Sequence, residues 1–208
     1  LALNKNLDLN IKEYMTVNFD AVIATVNALG GVSINIASDE LKYINDYIDA
    51  TSQSSGVSSK HITTAGPQTL DGVQAVAYSR IRYTAGGDYK RAERMRIVVE
   101  AMVKKAKTLS VPKLVNVANT ILPRVSTNID KNEIIGLIPT ISKINFSQSI
   151  GWPYNTKGKT MDRWYGIPVT LESNVVKLHK EVFGTENYTI PSEVKEISDS
   201  ILKKTGYK

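Results

Sequence analysis

Between Phe19 and Ile36 the spacing of apolar residues changes once, and that change restricts the fold more than any other feature of the chain. Phe19, Val22, Ile23, Val26 and Leu29 recur at helical steps. Gly30-Gly31 then interrupts the pattern, because glycine reaches the left-handed helix cap without a Cβ clash. Val32, Ile34 and Ile36 follow at every second position, as in a half-buried strand. A chain that passes from one period to the other must pack helix against sheet, so the fold class is mixed α/β.

The remaining segments extend this reading. Leu41, Ile44 and Ile48 predict a short helix, and the Ser/Gly-rich run Ser52–Lys60 a mobile loop. Leu70–Tyr78 reads as a helix and Arg80–Gly87 as a loop leaving it. Asp88 is placed to cap a long helix reaching about Lys107. Its expected inward stripe is Met95, Val98, Val99, Met102, Val103 and Ala106. Further helices are expected around Leu114–Leu122, after the Asp130/Glu133 capping box, over Ser173–Phe183 and over Ser192–Lys204, the last two stopped by Gly184 and Gly206. With 208 residues, 42% of them hydrophobic, the chain can bury a substantial core. No internal repeat or long linker divides it, which predicts one domain. No apolar run approaches the ~20 residues that span a bilayer, and no secretory signal opens the chain. The absence of cysteine excludes disulfides, thiolate metal sites and a Cys nucleophile, and it suits an extracytoplasmic protein.

The net charge of +6 is confined to one segment. Arg80–Lys107 holds nine Lys/Arg against three Asp/Glu, and the rest of the chain is balanced. Such a local field points to an anionic partner: phosphate, nucleic acid, an acidic polymer or a lipid head group. Within Tyr78–Arg96, YSRIRYTAGGDYKRAERMR, Arg80 and Arg82 stand two apart. In an extended segment both would project to one side and could clamp a pyrophosphate. Arg91, four residues before Met95, shares the expected inward face and sits in the first turn of its helix. A cation there opposes the helix dipole by about 0.3–1 kcal/mol. It therefore needs an anion, either Asp88 or a bound phosphate. Gly86-Gly87 lets the loop approach a ligand closely. On composition and spacing alone, a solvated RxR loop with a local Asp–Arg pair explains the same residues.

The pattern resembles the LytR–CpsA–Psr (LCP) family of bacterial cell-envelope proteins. The resemblance rests on Phe19-Asp20-Ala21 through Gly30-Gly31-Val32, on Leu70-Asp71-Gly72 with Ala75–Arg82, and on Gly87-Asp88-Tyr89-Lys90-Arg91 with Glu93-Arg94. Gly151-Trp152-Pro153-Tyr154, Trp164-Tyr165-Gly166, Leu171-Glu172-Ser173-Asn174 and Leu178-His179 look like one branch of the family. The resemblance covers essentially the whole chain but only the later part of the family domain. Leu1–Leu9 matches the end of a helix lying mid-domain, so the chain reads as an N-terminally truncated piece.

The resemblance implies a single LCP-like domain at 1–208, a central mixed sheet flanked by helices. Its core motif region would cover about 1–110, and a family-specific helical extension 111–208. The implied function is transfer of a glycopolymer (teichoic acid, capsular or secondary wall polysaccharide) from an undecaprenyl-pyrophosphate carrier to peptidoglycan. A sugar hydroxyl attacks the polymer-side phosphorus and polyprenyl phosphate leaves, with a greasy pocket for the lipid tail. Arg80, Arg82 and Arg94 match the arginines that hold the pyrophosphate. Arg91 and Asp88 match the catalytic pair, Asp88 orienting an arginine or assisting the incoming hydroxyl. Family members carry Mg2+, whose aspartate ligands belong to the part of the domain before Leu1; no metal ligand is expected in this chain, which alone is expected to be inactive. They act on the extracytoplasmic face of the membrane, anchored by an N-terminal transmembrane helix. Many carry Gln where this chain has Met95, which cannot donate to a phosphate.

Two alternatives follow from the same residues. One is a non-catalytic module that binds polyprenyl pyrophosphate or phosphorylated polysaccharide. The other, less favoured, is a DNA-binding regulator; no helix-turn-helix with a basic second helix is present, so no nucleic-acid partner is expected. Elsewhere, His61 reads as solvated, His179 as a packing residue and Asp39-Glu40 as a helix cap. Trp152, Tyr154, Trp164 and Tyr165 read as closing the edge of the core, with stacking on sugars as the other possibility.

Overall fold

The computed structural model describes residues 1–146 and 151–207. In chain order the elements are α1 (Ala2–Leu7), β1 (Met15–Val17), α2 (Phe19–Leu29), β2 (Val32–Ile36), α3 (Ser38–Ser55), β3 (Gly66–Leu70), α4 (Gly72–Arg80) and α5 (Gly87–Ala106). Then follow α6 (Val111–Ile121), β4 (Val125–Thr127), α7 (Lys131–Leu137), β5 (Thr156–Thr160), β6 (Trp164–Pro168), α8 (Leu171–Phe183) and α9 (Ser192–Thr205). The chain is mixed α/β, as its periodicity requires. In place of one central sheet, the described residues form three two-stranded antiparallel ladders, β1–β4, β2–β3 and β5–β6.

Two compact units are present, Glu13–Ser149 and a second made of Leu1–Lys12 with Ile150–Lys208. In the first unit, Val32, Ile34 and Ile36 face inward from β2 and meet Ile23 and Val26 of α2, Ile44 and Ile48 of α3, and Val73 and Val76 of α4. The Gly30-Gly31 turn obeys two constraints. Gly30 closes α2 at φ 81°. At Gly31, with φ 90°, a Cβ would lie 2.8 Å from the Thr69 methyl and 3.0 Å from the Leu70 carbonyl oxygen. In the second unit, Leu7 of α1, Leu171 and Val175 of α8, and Val194 of α9 make a small separate core.

Three expectations need correcting. The short helix at Leu41–Ile48 is α3, eighteen residues long, so Ser52–Ser55 are helical and Gly56 caps it. The helix expected from Leu70 starts at Gly72, because Leu70 ends β3 and Asp71 caps α4 through the Gln74 N–H at 2.9 Å. β3 itself, GPQTL, hid behind Gly66-Pro67 and has only Leu70 buried. Asp88 does not cap α5: Gly86 does, and Asp88 lies in the first turn. No helix among the described residues is long and apolar enough to cross a membrane.

Candidate active site at the start of helix α5

α4 carries Arg80 as its last residue, and the 81–86 loop brings the chain to α5. Arg80 is therefore helical, and the extended RxR clamp does not form. Its guanidinium lies 5.3 Å from the Phe19 ring and 5.8 Å from the Tyr47 ring, and it donates to Thr51 Oγ1 at 2.9 Å. Arg82 has a different partner and pairs with Asp88 at 3.0 Å. Arg91 reaches the same Asp88 oxygen at 3.4 Å. One carboxylate thus gathers two guanidiniums at the positive end of a twenty-residue helix. Asp88 and Arg82 are half exposed, and such pairs contribute little, about 0–1 kcal/mol. The two arginines can therefore turn to an incoming anion at small cost.

Arg94, expected among the phosphate-facing arginines, points inward. Its side chain is 3% exposed. Nε donates to Glu40 Oε1 at 2.7 Å, Nη1 to the Ile81 carbonyl at 3.0 Å and Nη2 to Thr84 Oγ1 at 2.5 Å. Glu40 Oε2 accepts from the Ala37 N–H at 2.9 Å, satisfying the backbone donor of the N-cap residue of α3. The pair thus joins the start of α3, the 81–86 loop and α5. Glu40 also acts on Tyr78, whose phenol is raised from 10.0 to about 12, first by burial and then by that carboxylate. Arg91, the arginine expected to face the core, is only partly covered. The buried positions of α5 are 94, 98, 101 and 106, while Met95 and Val99 are 41% and 54% exposed. The apolar pattern placed Val98, Met102 and Ala106 on the packed side but also counted Met95 and Val99, because it had no reason to put an arginine in a core position.

The C-terminal half of α5 borders a different environment. Met102, Val103 and Ala106 join Leu29, Leu114, Val117, Ile121 and Ile138 around an apolar cavity of about 570 Å³. From Arg91 to Met102 the helix climbs about 16 Å at 1.5 Å per residue. A single helix therefore carries a cationic cluster in its first turns and an aliphatic cavity toward its other end. Sequence reading saw the first, and its inward stripe contains three of the cavity's residues, but only the packing of α2, α6 and α7 makes the cavity.

The residues present do not fit a magnesium site. Among the described residues no three His, Asp or Glu side chains converge, and the Asp88 carboxylate is held by two arginines. His61 sits at the surface against Asp49 at 2.7 Å. His179 is buried, stacked on Tyr188 and bonded to the Leu7 carbonyl oxygen at 2.9 Å. Trp152 and Trp164 are exposed rather than closing the core; Trp164 lies against Gly158, where a Cβ would sit 2.9 Å from the indole nitrogen. Tyr154 packs beneath Lys177, and the Tyr165 hydroxyl donates to Asp162 at 2.9 Å.

The chain belongs to the LytR_cpsA_psr family, whose family pattern matches residues 1–174. Among its relatives is the polyisoprenyl-teichoic acid–peptidoglycan teichoic acid transferase TagT of Bacillus subtilis (strain 168). It is 31% identical over 156 residues, which are 73% of this chain and 46% of TagT. The TagU transferase of Enterococcus faecalis (strain ATCC 700802 / V583) is 35% identical over 105 residues, 50% of this chain and 29% of that protein. The chain thus spans less than half the length of these curated relatives. The solved structure of TagT bound to LIIa-WTA superposes with a TM-score of 0.60 at 22% identity, covering 98% of this chain and 65% of that one, and so shares the fold.

Proposed function

We propose that this chain forms the arginine-bearing part of an enzyme that moves a glycopolymer from a polyprenyl-pyrophosphate carrier to peptidoglycan. The observation that carries the reading is helix α5, with Arg91 and Asp88 in its first turns and an aliphatic cavity beside its C-terminal half. A polyprenyl pyrophosphate has the same polarity, an anionic head on a long apolar tail. The names of TagT and TagU, transferases that join teichoic acid to peptidoglycan, support the same reaction class.

In this reading Arg80, Arg82 and Arg91 neutralise the pyrophosphate, releasing Asp88 from part of its pairing. A peptidoglycan hydroxyl attacks the polymer-side phosphorus, forming one P–O bond while the bond to the bridging oxygen breaks. Polyprenyl phosphate leaves with the electron pair, and the hydroxyl proton passes to a base, for which Asp88 is the nearest carboxylate to the arginines. The arginines work by stabilising the charge that develops on the phosphoryl oxygens. Arg94 holds the loop from behind and does not touch substrate. A magnesium ion would have to draw its carboxylates from outside the described residues, and no step is assigned to it. The site belongs to the cell envelope, outside the cytoplasmic membrane.

The test is transfer of labelled polymer from its lipid carrier to peptidoglycan by the full-length protein that contains this chain. Arg82→Ala and Arg91→Ala should each lower the rate by roughly 10²-fold or more, the effect of removing one oxyanion-stabilising donor. Undiminished transfer in both would sink the assignment.

A further inference from the structure

Tyr43 and Tyr47 are one turn apart on α3 and share a face. Tyr83 comes from the 81–86 loop, directly after Arg82. Its ring centroid lies 6.0 Å from that of Tyr43 and 6.4 Å from that of Tyr47, tilted by 45° and 37°. The Arg80 guanidinium lies over the Tyr47 ring on one hand and over Phe19 on the other. Phe19 and Tyr47 thus flank the Arg80 guanidinium, Tyr83 packs on Tyr47, and Tyr83 keeps 73% of its surface in solvent.

Folding does not account for that placement. A tilted aromatic pair contributes about 0.5–1.5 kcal/mol beyond its burial, and Tyr83 is scarcely buried. What the arrangement does offer is the exposed Tyr83 ring, with the Arg80 guanidinium on neighbouring Tyr47 and Arg82 next to it in the chain. The ligand that matches has an apolar face, hydroxyls and an adjoining phosphate. A pyranose phosphate has all three: axial C–H groups for the ring, hydroxyls for the phenols and phosphate oxygens for the arginines. The prenyl tail does not compete for this surface, since the apolar cavity lies beside the other half of α5.

We propose that Tyr43, Tyr47 and Tyr83 form a stacking subsite for the sugar that directly bears the phosphate, with Tyr83 as its exposed lid. The proposal rests on the reading of Arg80, Arg82 and Arg91 as a phosphate site. The subsite makes the first sugar part of the recognition and holds the polymer-side phosphorus over the arginines.

The test is titration of the chain with glucose 1-phosphate, inorganic phosphate and uridine 5′-monophosphate, followed by NMR or calorimetry. The sugar phosphate should bind about fivefold tighter than inorganic phosphate, the scale of one stacking contact. Tyr83→Ala should erase that preference, and Tyr83→Phe, which keeps the ring, should retain most of it. Equal affinities in the parent chain, or a preference that survives in both Tyr83→Ala and Tyr43→Ala, would overturn the subsite. A nucleotide that binds tighter than the sugar phosphate through Tyr83 would also overturn it. Arg82→Ala separates the two readings. If phosphate binding depends on Arg82 but shows no sugar preference, the subsite alone fails. If phosphate binding ignores Arg82 and Arg91, the phosphate site and the subsite fail together.

Discussion

At the residue scale, two arginines three positions apart on one helix have opposite fates. Arg91 is partly exposed and shares a half-solvated carboxylate with Arg82, whereas Arg94 is buried on Glu40. Burial decides what each contact is worth. A surface pair is nearly free to break, but a buried charge stripped of its partner is left without water or counter-ion. Arg94→Ala should therefore destabilise the first unit by about 3–5 kcal/mol, read as a lower urea midpoint. Replacing the pair together, Glu40→Gln with Arg94→Met, should recover more than half of that loss. If Arg94→Ala left the midpoint unchanged, Arg94 would not be the clamp described. The RxR and D-x-x-R patterns made these arginines legible as a group, but not which one faces inward. That depends on Glu40, fifty-four positions away in sequence.

At the element scale, the Leu70-Asp71-Gly72 run shows how three residues set a junction. Leu70 fills the core at the end of β3, Asp71 caps α4, and Gly72 lets α4 approach α2. A Cβ on Gly72 would stand 2.3 Å from the Ile23 carbonyl oxygen and 2.7 Å from its Cα, both backbone atoms that cannot swing aside. Its N–H also donates to Asn27 Oδ1 at 2.8 Å. Gly72→Ala should cost about 1–3 kcal/mol or more as an overpacking change, with a matching fall in Tm. A Tm within a degree of the parent would show that α2 and α4 are not held this close. Helices with clear periods, α2, α8 and α9, were legible within one or two residues. The ladders β1–β4 and β5–β6 were not, because their residues are largely exposed and carry no alternation to read.

At the scale of the whole molecule, the charge and the cavity belong together only because α5 passes from one to the other. A lipid with an anionic head should therefore stabilise the chain more than the head alone. Octaprenyl pyrophosphate should raise Tm more than inorganic pyrophosphate at equal saturation. Ala106→Trp, which fills part of the cavity, should remove the difference and leave the pyrophosphate increment. Equal increments from both ligands in the parent chain would show that the cavity takes no tail.

The amino-acid sequence by itself determined the α/β class, the helical periods, the Gly30-Gly31 turn and the single cationic segment, since each of these is a local pattern of residue types. Tertiary structure alone decided that Arg94 is a buried clamp, that Arg80 and Arg82 take different partners, and that an aliphatic cavity opens beside α5. It also decided that three tyrosines from α3 and a loop meet, with the Arg80 guanidinium over one of them. Each of those outcomes joins residues distant in the chain. Burial and pairing depend on what packs opposite a side chain, and no periodicity along the chain records that.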